Sequence, residues 1–231
     1  MFFAATLLAA TTVFPSGANV KDDHACYTIS YTKPGEPSRE IGITSQTIQH
    51  ALVDGRAVIK VSVHQKMNDD SFDLTDNFTL SATDLQPITY TNEHRGKPFV
   101  TLKYIDGYVH GQRMGAGGKW EPIDLKIDTP IWEGNLFGVM FGALPLAKGA
   151  SFTVPFYQYD KGSGEFTIRV TGTEAVMTPD GPVDAWVVNA GQDDTDRAEY
   201  LIQRDSGREL GYRAAGFVQQ LGGECPANPT K

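Results

Sequence analysis

From Cys26 onward the chain alternates apolar and polar residues with a period of two, and this pattern constrains the fold more than any motif does. In "RAVIKVSVHQ" the residues Ala57, Ile59, Val61 and Val63 fall on one face, with Val58, Lys60, Ser62 and His64 on the other, as in a strand with one buried side. The stretches "FVTLKYIDGYVHGQR", "ASFTVPFYQY", "GEFTIRVTG", "VDAWVVNA" and "AEYLIQR" are each short, rich in β-branched and aromatic residues, and bounded by turn formers. Asp54-Gly55, Asp106-Gly107 and Asp180-Gly181 lie between such runs, and Asp-Gly supplies the positive φ angles of tight hairpin turns. No long amphipathic helix separates the runs, which argues against a parallel βαβ sheet. The expected fold is mainly β: a large antiparallel meander of about ten strands, curled into a half-barrel or closed into a barrel.

One stretch breaks the period. "TPIWEGNLFGVMFGALPLAKG" carries Gly134, Gly138 and Gly142 at four-residue spacing among bulky apolar residues, and predicts one short apolar helical segment near 131-143. It is too short to span a bilayer, Glu133 and Lys148 fence it, and Pro145 cannot continue a helix without losing a hydrogen bond. The glycine spacing would give the helix a flat face that lets its backbone approach a sheet closely. The segment is then either a packed plug or a lid over a ligand. As a lid it would offer Trp132, Leu136, Phe137, Met140, Phe141 and Leu144 as ligand-binding residues.

The 231 residues are enough for one substantial core, and 40% hydrophobic with 21% charged residues is ordinary for a globular protein. A single β-rich domain is expected over 19-231, with the polar "GGECPANPTK" as a loose tail tethered through Cys225. A net charge of -8 opposes both nucleic-acid binding and electrostatic docking on an anionic leaflet. The uncharged run from Phe2 to Phe14, followed by Ser16-Gly17-Ala18, has the form of a signal peptide over residues 1-18, cleaved after Ala18. Its first basic residue is only Lys21, so an apolar first strand or helix is the alternative. The two cysteines, Cys26 and Cys225, form no CxxC pair; they are candidates for a disulfide tying the ends together, or for two unpaired structural thiols.

Motifs for chemistry are incomplete. "GQRMGAGGKW" has Arg113 and Trp120 where a phosphate loop needs Gly and Ser or Thr, so Gly115 to Lys119 reads as a hairpin tip. "MNDDSFDLTDN" has Leu74 and Leu80 where a calcium loop starting at Asp69 needs Gly and Glu, which leaves Asp69, Asp70, Asp73 and Asp76 as a solvated turn; Asp193, Asp194 and Asp196 read the same way. The five histidines show no zinc spacing, and His110 is expected to be a hydrogen-bonded strand residue. No Gly-x-Ser-x-Gly elbow is present. The sequence therefore indicates no catalytic residue, metal or cofactor.

Four patterns occur in order: Leu85-Gln86-Pro87-Ile88; Tyr104 with Gly107-Tyr108-Val109-His110-Gly111; Leu144-Pro145-Leu146 with Gly149 and Phe152; and "VTGTEAVMTPDGPVDAWVV" from Val170 to Val188. Over Ile43 to Tyr212 the chain resembles a widespread bacterial family of exported proteins of unknown function, through Leu144, Pro145, Leu146, Gly149, Gly172, Glu174 and Gly181. Those proteins look similar to the curled half-barrels of periplasmic lipoprotein carriers. The resemblance implies a periplasmic or secreted, non-catalytic cell-envelope protein that binds a hydrophobic ligand, such as a lipid or lipoprotein acyl chain. The alternative is an envelope interaction or assembly protein working through protein contacts, without a small-molecule cavity.

Overall fold

The computed structural model describes residues 11–12, 15–127, 130–193 and 195–225. It begins with a two-residue strand, β1 (Thr11–Thr12), and a 3-10 turn at Gly17–Asn19. A first antiparallel meander follows: β2 (Asp23–Tyr31), β3 (Arg39–Val53), β4 (Arg56–Met67), β5 (Asp73–Ser81), β6 (Pro87–His94), β7 (Lys97–Ile105), β8 (Tyr108–Met114) and β9 (Trp120–Lys126). Then come β10 (Trp132–Glu133) and the helix α1 (Gly138–Gly142). The second meander is β11 (Ser151–Gln158), β12 (Gly162–Thr178), β13 (Gly181–Gly191), β14 (Arg197–Gln203), β15 (Glu209–Ala214) and β16 (Phe217–Leu221).

The two meanders fuse into one sheet where β16 pairs with β2, setting Leu221 opposite Tyr27 and Phe217 opposite Tyr31. β1 and β10 add to β11 in parallel. Among the described residues β9 pairs only with β8, so the sheet is open, not a closed barrel. Among the described residues it has sixteen strands, where about ten were expected from sequence. The excess comes from strands such as β3 and β5, whose alternation is diluted by polar residues. The sheet nevertheless curls. Arg113 on β8 donates to the Tyr159 carbonyl just beyond β11 at 3.0 Å, and Tyr159 sits 6.2 Å from the ring of Tyr90 on β6.

Two of the three Asp-Gly pairs form the expected hairpin turns: Asp54 and Gly55 have φ of 50° and 76°, Asp106 and Gly107 of 51° and 78°. At the third, Thr178 pairs with Gly181, so Pro179 and Asp180 make the turn and Gly181 opens β13. Gly115 to Lys119 is the β8–β9 tip, closed by a hydrogen bond from the Gly115 N–H to the Lys119 carbonyl at 2.8 Å.

The helical segment is shorter than the 131-143 expected. Trp132 and Glu133 extend as a strand on β11, and the helix keeps five residues with no side-chain N-cap. α1 and its flanks pack on the concave face. Leu136, Val139 and Ala143 pack into a cluster with Ile59, Val61, Phe78 and Leu102 of the first meander. Trp132, Met140, Phe141 and Leu144 pack on Val154, Ile168, Val188 and Ile202 of the second. Burying side chains of this size stabilises by about 1.5–3 kcal/mol each.

The glycine spacing does what it suggests. A Cβ on Gly134 would meet the side chains of Phe156 and Gln158, one on Gly138 would meet the Glu209 carboxylate, and one on Gly142 would meet the Gly207 carbonyl. The flat face thus presses against β11, β15 and the β14–β15 turn.

Cys26 and Cys225 are bonded, with Cα atoms 5.4 Å apart across a separation of 199 residues. The unpaired alternative is thereby overturned, and the bond staples the seam between the meanders. Most of the predicted export segment lies outside the described residues, as does the tail beyond Cys225. Of the segment's described end, the Ser16 N–H donates to the Ala143 carbonyl at 3.3 Å and the Gly17 N–H to that of Thr83 at 3.1 Å.

Candidate ligand-binding site

α1 does not fill the whole concavity. Between it, strands β3–β5 and strands β12–β16 lies a cavity of about 350 Å³. One wall is aromatic. Phe137 lies 5.4 Å from Phe166 and 5.8 Å from Tyr200; Tyr200 in turn lies 4.7 Å from Phe141 and 5.7 Å from Tyr212. All five rings line the space.

The adjoining stretch of the lining is polar, since Tyr212 pairs with Gln219 across β15 and β16. The Thr44 hydroxyl donates to Gln219 Oε1 at 2.7 Å, and Gln46, Gln65 and Asp76 complete it. Asp76 accepts from the Tyr90 hydroxyl and from Asn92 Nδ2, each at 2.7 Å. Burial raises its carboxyl above the ordinary aspartate range despite those two bonds. At the mouth the cations are already engaged: Lys161 donates to Asp196 at 3.3 Å, and Arg197 donates to Asn189 Oδ1 and the Thr167 carbonyl.

Glu209, the first residue of β15, is the unusual member. It is 8% exposed, and its carboxylate makes no hydrogen bond or ion pair among the described residues. Burial alone pushes its carboxyl up to about 7. It stands with Gln46 between this cavity and a second one of about 240 Å³, on whose wall Arg208 grips Asp23 at 2.7 and 3.0 Å. Its carboxylate occupies the space that a Cβ on Gly138 would need.

A second buried acid sits behind the plug. Glu133 is 1% exposed and accepts from the Asn135 N–H at 2.7 Å and from Asn135 Nδ2 at 3.0 Å, yet burial still pushes it up to about 8. The sequence reading placed this residue as a flanking charge. In the fold it is an internal brace of the turn that launches α1.

Of the six residues singled out from sequence, Leu136, Phe137 and Phe141 line the cavity. Trp132, Met140 and Leu144 instead sit in the packed cluster against β11–β14. Asp76 was grouped with a solvated turn, but it shares a strand face with Phe78 and Leu80, and that alternation was a usable sign of burial. Glu209 carried no such sign. The register shifts at β14–β15, where Ile202 opposes Glu209 and Leu201 opposes Gly211, so the alternation through Leu210 is broken where it would be needed.

His110 Nδ1 lies 3.0 Å from Asp124 Oδ1 on an exposed strand face, as a strand histidine would. His24 lies close to both cysteines, but their sulfurs are consumed in the disulfide and offer no thiolate to a metal. The hydroxyl of Thr44, a potential nucleophile on the cavity wall, is committed to Gln219. The arrangement is equipped to hold a molecule.

A family model described as "Protein of unknown function (DUF3108)" matches residues 26–215. The chain belongs to the DUF3108 family. No curated protein matches the chain. No solved structure matches it either. The DUF3108 match spans β2 through the β15–β16 turn, so every strand that lines the cavity except β16 falls within it.

Proposed function

We propose that this DUF3108 protein is an exported, non-catalytic binding protein that holds a hydrophobic or amphipathic ligand, such as a lipid or lipoprotein acyl chain, in the hollow of its curled sheet. The observation that carries the proposal is the cavity of about 350 Å³ left beside α1, lined by aromatic rings together with amides and carboxyls. A space of that size is at the lower end of small-molecule sites, which span roughly 300–1,000 Å³. It suits part of an acyl chain, each buried methylene of which gains ~0.8 kcal/mol. Export agrees with the Cys26–Cys225 bond, since disulfides persist in oxidising compartments such as the periplasm. On this reading residues 1-18 are removed and 19-231 form the mature domain. Mass spectrometry of organic extracts from gently purified protein, with titration of a fluorescent fatty acid, tests the reading: a co-purifying lipid and saturable binding are expected. Absence of both would sink it.

A second reading, contact with envelope proteins, has one observation in its favour. Leu52, Ile105 and Met177 are 76%, 56% and 64% exposed, and lie beside the β3–β4, β7–β8 and β12–β13 turns. The strand pairings put those three turns at one end of the sheet. Crosslinking in intact cells, compared between the native chain and one carrying Asp at these three positions, separates this reading from the first.

A further inference from the structure

Resting on the ligand-cavity reading, we infer that the molecule held beside α1 carries a positively charged nitrogen, an amine or quaternary ammonium, with Glu209 as its counter-charge and the surrounding rings as its cage. Three independent features converge on this. Glu209 is nine-tenths buried on the cavity wall with no partner of its own, and a buried charge left unpaired is costly enough that it calls for a partner. The cations beside it along the chain are committed elsewhere: Arg208 to Asp23, and Arg213, on the same strand, to Glu174 and Glu199. Lastly, Phe137, Phe141, Tyr200 and Tyr212 share the same cavity, and aromatic faces attract cations.

The polarity of the rest of the space agrees. Asp76 adds a second carboxyl to the lining, so an anionic head group would meet two acids, while the cations that line the same space are held by Asp196, Asn189 and Thr167. Gly138 is part of the device. Any side chain there would displace the carboxylate, so the four-residue glycine spacing of α1 also clears the position from which Glu209 meets the ligand.

The test compares three probes of one chain length, decyltrimethylammonium, decanol and decanoate. Each is titrated calorimetrically into the full disulfide-bonded protein above neutral pH and below its micelle concentration. The cation should bind about tenfold more tightly than the alcohol, with the anion weakest, and Glu209→Gln should lower the cation's affinity about tenfold. Decanol binding without any preference for the cation overturns the charge assignment and leaves the cavity reading intact. Preference that survives Glu209→Gln also overturns it. Failure of all three probes to bind overturns both readings. If the variant does not fold, the three-probe comparison on the unmodified protein still decides, since a cation that binds no better than decanol overturns the assignment.

Discussion

Replacing Glu209 with Gln should make the protein more stable at alkaline pH, an unusual outcome for a substitution in a buried site. A carboxyl that titrates near 4.5 when unfolded and about 7 when folded takes up protons more tightly in the native state. Its contribution to stability is full below the unfolded value and is lost as pH rises through the folded one. The difference between those values corresponds to roughly 3 kcal/mol at 1.36 kcal/mol per pH unit. Glu209→Gln removes that loss while keeping the shape. The surroundings do not change the sign, because Tyr27, Tyr200 and Tyr212 are neutral over this range and Arg208 is paired with Asp23. Glu133, which titrates at about 8, adds a pH dependence of the same sign, but it is common to both proteins and cancels in the comparison. Urea unfolding with the disulfide intact, repeated from pH 4 to pH 9, should show the stability difference growing in the variant's favour between about pH 5 and pH 8, then levelling. A difference that stays flat with pH would refute the reasoning, because it would mean that Glu209 finds a partner or water in the fold.

Gly142→Ala would drive a methyl into the Gly207 carbonyl, and urea midpoints should fall by the equivalent of about 1–3 kcal/mol. Phe141, fully buried between Tyr200 and the β11–β14 cluster, should cost about 3–5 kcal/mol on truncation to Ala, read from the same curves. Cys26→Ser with Cys225→Ser removes a loop constraint of 199 residues. Stability should drop by up to about 5 kcal/mol while the far-ultraviolet circular dichroism of the β-sheet is retained.

How far the fold can be read from sequence depends on whether the information is local. Strand faces and hairpins are local: the alternation in "RAVIKVSVHQ" and the Asp-Gly pairs at 54–55 and 106–107 decide them within a few residues, and the structure agrees for Ile59 and Val61, though at the strand's start Ala57 is exposed and Val58 buried. The fusion of the two meanders at β16 and β2 joins residues nearly 200 apart, and only the cysteines hint at it. The glycine spacing of α1 predicted close backbone approach, yet not that one of its partners would be a carboxylate. Glu133 looked like a surface charge because sequence does not reveal that Asn135 supplies two hydrogen bonds to it inside the protein. Glu209 was concealed by the register shift beside it, where a single extra residue uncouples side-chain direction from sequence spacing.

The seam between β16 and β2 also dictates the order of assembly. Each meander can zip up from its own hairpins, whose partners are near neighbours in sequence and meet quickly. The seam cannot, because β2 near the start of the domain must wait for β16, which ends at Leu221. Until then β2 presents an unpaired edge in the middle of what will become the sheet, the kind of surface on which chains misassociate. A chain emerging from its N-terminus would carry that edge until β16 follows, nearly 200 residues later. Oxidation of Cys26 with Cys225 then locks the completed sheet, since pairing of β16 with β2 is what holds the two sulfurs side by side.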